Sequence, residues 1–220
     1  DTTVDLLQFD SGQSYTINGD GLHSLTLAGA ARIDVKSGSH TVVAPILGSN
    51  GLNKTGTGTV TIAGANGYSG PTAVNGGTLK VTSATGLGGS SAITVSDAAT
   101  LDVSALVGGY SVPANGVLTG QGTVVVNLPG QSKSLTISST SELRGGLRIR
   151  GNVVNGGLLA PGASPDITTI VGNYTQQSGG VLEIEIGGLT PGDEHDMLIV
   201  TGTATLGGRL GVPFISVGGN

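Results

Sequence analysis

The chain has 220 residues, a net charge of −5 at pH 7, 41 glycines, no cysteine and only 10% charged residues. No Lys/Arg cluster exists to follow a phosphate backbone, which argues against a nucleic-acid partner. No apolar run approaches the roughly 20 residues of a membrane-spanning helix, so no membrane span is expected, and without cysteine the fold rests on packing and hydrogen bonds alone.

So much glycine would suit disorder or collagen, but there is no Gly-X-Y period, and the 37% of apolar residues recur regularly. Position 1 is Asp and no signal peptide is present, so a processed chain or an excised fragment is expected.

In chain order, Asp1 to Phe9 is apolar enough to pair with another strand, although Asp1 and Asp5 make a dry contact costly. Apolar-polar-apolar triplets follow: Leu25-Thr26-Leu27, Ile33-Asp34-Val35, Val60-Thr61-Ile62, Leu79-Lys80-Val81, Ile93-Thr94-Val95 and Leu101-Asp102-Val103. Further on come Leu135-Thr136-Ile137, Leu147-Arg148-Ile149 and Ile184-Glu185-Ile186. In each, the flanking residues share one face and the central residue faces the other way, a strand period with one buried side. No helical period is sustained, because glycine interrupts nearly every window.

Strands this short suit a solenoid better than a sandwich. Val74-Asn75-Gly76-Gly77-Thr78-Leu79 returns as Val154-Asn155-Gly156-Gly157-Leu158-Leu159, a corner in which Asn-Gly supplies positive φ. The expected fold is all-β, a right-handed parallel β-helix forming a single domain over residues 1–220, with about ten short coils of roughly 19 to 22 residues and a length on the order of 48 Å. Terminal coils leave unpaired edges open to self-association. Near the end, Pro213 is expected to blunt the edge at 212–217, with Phe214, Ile215 and Val217 offering apolar surface to a partner or a further coil.

Residues 46–81 resemble the autotransporter-associated (passenger-associated transport) β-strand repeat. The match lies in Gly51-Leu52, Lys54-Thr55-Gly56, Gly58-Thr59-Val60, Gly64-Ala65-Asn66, Tyr68-Ser69-Gly70, Thr72 and Val74 to Leu79. Residues 152–212 are similar to the module near the end of many such passengers. They carry Pro161-Gly162-Ala163-Ser164-Pro165, Gly172-Asn173-Tyr174, Leu182 to Ile186 and Asp196 to Gly202, and depart from it at Asp166 and His195. The resemblance implies a right-handed β-helix, exported from a bacterium and displayed extracellularly, whose later coils help nucleate folding. It implies no catalytic activity.

Chemistry is sparse. The densest polar cluster, Pro191-Gly192-Asp193-Glu194-His195-Asp196, lacks a second ligand group at metal-site spacing and reads as a solvated corner. His23 and His40 are isolated. Ser69 lacks the frame of a nucleophile elbow, and Gly19-Asp20-Gly21 lacks the helix of a phosphate turn. Asp102, Arg148 and Glu185 are spread along the stack, Lys80 and Asp102 are expected to pair on the outer face, and Tyr68, Tyr110 and Tyr174 are expected to stack on neighbouring turns. No catalytic, cofactor or metal residue is assigned. The expected role is a non-enzymatic stalk, spacer or adhesive part of a surface protein, with a cell-surface or glycan partner. The alternatives are a self-assembling filament or surface-layer subunit and, more weakly, a glycan-degrading enzyme.

Overall fold

A computed structural model of the chain describes residues 1–128, 130–162 and 165–216. Among them every regular element is a strand, and the strands form three parallel sheets. The longest ladder runs through ten strands, from Thr2–Phe9 to Arg209–Gly211, with Ile46–Leu47 attached beside it. The second runs through nine, from Thr16–Ile17 to Met197–Val200, and the third through five, from Tyr110–Val112 to Ala204–Thr205. Consecutive strands never pair within a sheet. Each turn of chain lays a strand on the first two faces, and from Tyr110 onward one on the third, parallel to the strand of the turn before.

The nine rungs of the second ladder define about eight turns, fewer than the ten expected from the triplet spacing. At about 4.8 Å per rung the stack is on the order of 40 Å long. Coil length varies more than the triplets suggest. Glu142 pairs with Leu158 after 16 residues, Val117 with Glu142 after 25 and Val181 with Arg209 after 28. Corners absorb the extra residues without disturbing the rungs, so residues per coil cannot be read from the rungs alone.

The triplet pattern itself governs the interior. Leu79, Val81, Leu101 and Val103 are all fully buried. Val60, Leu79, Leu101, Val124, Ile149 and Ile170 stand directly above one another in register. Each such side chain contributes about 1.5–3 kcal/mol by leaving water, against the ordering entropy of its residue. A short strand is stable only because its neighbours above and below complete that column.

Two triplets depart from the pattern. Asp34, a central residue, is buried because it accepts the Thr55 hydroxyl at 3.0 Å and pairs with Lys36 at 3.1 Å. Ile184-Glu185-Ile186 is not a rung at all: the rung is Val181–Glu183, after which the chain leaves the coil. Ile186 bridges antiparallel to His195, its N–H donates to the Pro213 carbonyl, and it accepts the Ile215 N–H. Residues 213–215 therefore fold back on their own chain. Phe214 stays exposed, and Val217, from the same expected segment, lies outside the described residues.

The two matching Asn-Gly corners also differ. Gly77 takes φ +58°, as the corner requires. Gly157 has no positive φ and is required instead for closeness: a Cβ there would lie 2.1 Å from the Ser138 carbonyl oxygen.

Candidate functional site

The most elaborate side-chain arrangement lies in the turns spanning residues 46–90. Alternation along Leu52–Thr55 places Lys54 inward, between Ile33 and Val74 of the neighbouring rungs, where it is fully buried. Its Nζ donates to the carbonyls of Thr55 at 2.7 Å, Gly56 at 3.0 Å and Gly76 at 3.0 Å. Three donors meet three acceptors, so a buried cation is fully satisfied. Burial lowers its pKa to about 8, against the opposing charge of Asp34. A lysine with a depressed pKa is a common catalytic group; this one is enclosed, and its protons tie one corner to the next coil.

Asn66 performs a similar task. Its Oδ1 accepts the Ile46 N–H at 2.7 Å and its Nδ2 donates to the Gly86 carbonyl at 2.7 Å, 20 residues away on either side. One amide thus clamps three successive turns. Beside it the Tyr68 hydroxyl meets the Thr72 hydroxyl at 2.7 Å, Thr72 donates to Ser90 at 3.1 Å, and Ser90 donates to the Ala92 carbonyl. Burial pushes the Tyr68 phenol up to about 12, with the Thr72 hydrogen bond opposing. On the outer surface Asn75 donates to Asn53 at 2.8 Å and accepts from the Ser96 hydroxyl at 2.8 Å. None of the triplets includes Lys54, so its inward position is a finding of the structure. The acceptors that make it tolerable come from corners, which no period describes.

The polar cluster at 191–196 is divided among separate structural tasks. Glu194 Oε2 accepts the Leu189 and Thr190 N–H groups and the Thr190 hydroxyl at 2.8–2.9 Å, and these bonds hold its pKa below the usual range. Buried Asp196 accepts the Asp166 N–H and the Glu185 N–H, each at 3.0 Å. His195 Nδ1 lies 3.2 Å from the Gly188 carbonyl, and Asp193 is exposed. Among the described residues, no group of three or more His, Asp or Glu side chains is placed to hold a metal ion.

Asp102, Arg148 and Glu185 are not brought together. Asp102 is in register with Lys80, their charged groups 3.9 Å apart, and also accepts the Ser104 N–H and hydroxyl at 3.0 and 2.6 Å. That cap leaves Asp102 half-buried rather than exposed as expected. Arg148 and Arg150 project from Arg148–Arg150 on the outer side. Glu185 sits in the excursion after the Val181–Glu183 rung. Burial, then Asp196 and Glu183, raise its carboxyl pKa against the opposing Arg144, and among the described residues its Oε2 has no hydrogen-bond partner.

Asp20 makes a local turn, accepting the Leu22 and His23 N–H groups and meeting the His23 ring. It lines a cleft of about 310 Å³ with His23, Ser24 and Thr2. Ser69 is exposed, and its N–H donates to Gly48. Tyr68, Tyr110 and Tyr174 turn inward instead of stacking on one another. Tyr174 accepts from Asn155 at 3.1 Å; among the described residues the Tyr110 hydroxyl has no partner, and the ring stacks are those of Phe9 and Tyr15 on His40.

Residues 52–81 match the passenger-associated-transport-repeat family. The match contains Lys54, Asn66 and Thr72, whose side chains join successive turns, and Tyr68, which bonds Thr72. Comparison with curated proteins and with solved structures gives no match. The repeat and the parallel solenoid together fit an autotransporter passenger-type repeat domain.

Proposed function

We propose that the chain is a non-enzymatic stalk or spacer of an exported, surface-displayed bacterial protein. The observation that carries this reading is the interior tying of coil to coil by Lys54 and Asn66. Such cross-coil bonds give a solenoid axial stiffness and contribute nothing to turnover. Residues 152–212 would serve as the terminal module that nucleates folding; Ala163 and Ser164 of that block lie outside the described residues. Small-angle scattering of the purified chain tests the spacer role. A rigid rod on the order of 40 Å long supports it, and a profile of flexible, independently moving segments overturns it.

One observation favours an adhesive role beside the spacer. Arg148 and Arg150 share the outer face of one strand, and neither is ion-paired among the described residues, whereas Arg144 is held by Glu142 at 2.6 Å. Two free guanidinium groups on one face suit an acidic glycan. Retention on a heparin column that is lost in Arg148→Ser/Arg150→Ser supports this, and equal elution of both proteins overturns it.

A further inference from the structure

We propose that His40 is an acid-sensitive latch that holds the first coil of the solenoid. The ring is 1% exposed and occupies the inner column, in register with Val60 of the next rung. Phe9 stacks on it at 4.3 Å between centroids and 13° between planes, and Tyr15 at 5.7 Å and 5°. Both ring nitrogens have backbone partners, and the partners dictate their roles. The Tyr15 N–H lies 3.2 Å from Nδ1, which must therefore accept, and Nε2 lies 3.0 Å from the Ser37 carbonyl, to which it must donate. This is the neutral ring with its proton on Nε2.

The bond to Tyr15 has a structural purpose. The Tyr15 carbonyl accepts the Thr41 N–H at 2.9 Å, so this residue extends the ladder that continues through Thr16–Ile17 and Ser39–Val42. The imidazole supplies the acceptor that its N–H needs. A second proton on the ring removes that acceptor and sets two N–H groups against each other in a buried site. The segment from Phe9 to Ile17 then loses the hydrogen bond that holds the Tyr15 N–H beside the ladder.

The charged groups on the packed elements do not offset this. Asp10, after Phe9, is exposed, and Lys36 beside Ser37 is paired with Asp34. The Thr59–Ile62 strand beneath carries no charge, and the Tyr15 phenol is the titratable group stacked on the ring. The other two histidines are built differently: His23 faces the Asp20 carboxylate and His195 Nδ1 faces a carbonyl, contacts that a protonated ring keeps.

The test is amide hydrogen exchange of the full chain between pH 7.5 and 5.0, corrected for intrinsic chemistry. Residues 52–81 serve as the internal reference. Protection of residues 9–17 is expected to fall toward the limit of about tenfold per pH unit for one coupled proton, while the reference is unchanged. His40→Gln, which keeps an acceptor and a donor but does not titrate, should abolish the difference. Equal pH response in both proteins, or parallel opening of the reference, overturns the latch. Should His40→Gln not fold, nitrogen NMR of the wild-type ring decides: the Nε2–H tautomer at pH 7.5 supports the latch, and the Nδ1–H tautomer overturns it.

Discussion

The turns around residues 52–103 and those after residue 181 use the same strand pattern with opposite results. In the first region the inner residues Leu52, Val60, Leu79 and Leu101 are fully buried. In the second, Leu206 is 70% exposed, Leu210 64% and Phe214 85%. Leu210 is in register with Leu182, so it has a rung on one side of it, and among the described residues no rung lies on the other. Burial in a solenoid is therefore a property of the stack as well as of the strand, although an end strand can still be closed over: Val112, on the first strand of the third ladder, is 1% exposed.

That comparison can be broken by mutation. Leu101→Asp places an unpaired carboxylate in the inner column and should destabilise by about 4 kcal/mol or more, whereas Leu210→Asp should cost within about 0.5 kcal/mol. Urea denaturation of both variants measures the gap, and comparable losses would refute the stacking account. Next in size, Lys54→Met leaves three corner carbonyls without their donor and should cost about 3 kcal/mol, read in the same assay.

Alkaline pH sharpens the contrast, because Lys54 and Tyr68 lie in the covered region. The folded pKa of Lys54, about 8, is below its ordinary 10.5. The unfolded chain then holds more protons between these values, and stability should rise with pH across that window. Tyr68 is raised to about 12 from 10.0, and burial also raises Tyr110 and Tyr174. Their contribution is present below pH 10 and lost as pH climbs above it. Thermal melts from pH 7 to 11.5 should therefore rise and then fall, and Lys54→Met should lack the rise. Smallest in effect, Asp102→Ala removes the Ser104 cap and a half-exposed pair with Lys80, and should cost about 1 kcal/mol, detectable as a small shift in the urea midpoint.

The alternation of short triplets determined by itself that the chain is a parallel solenoid, and which side of each strand faces inward, because a strand with one apolar face can only be buried one way. The repeat at residues 46–81 was legible because its glycines and polar residues recur at corners in a family-specific order. Only the tertiary structure decided the number of turns, since corners of different length close on the same rung. It alone joined Lys54 to Gly76, Asn66 to Ile46 and Gly86, and His40 to the Tyr15 N–H, because these partners lie about one coil away along the chain at distances the sequence does not mark. Ile184-Glu185-Ile186 looked like a rung for the same reason: period two reports which way side chains point, while a rung also requires a neighbouring strand with which to exchange backbone hydrogen bonds, and that neighbour is a property of the stack.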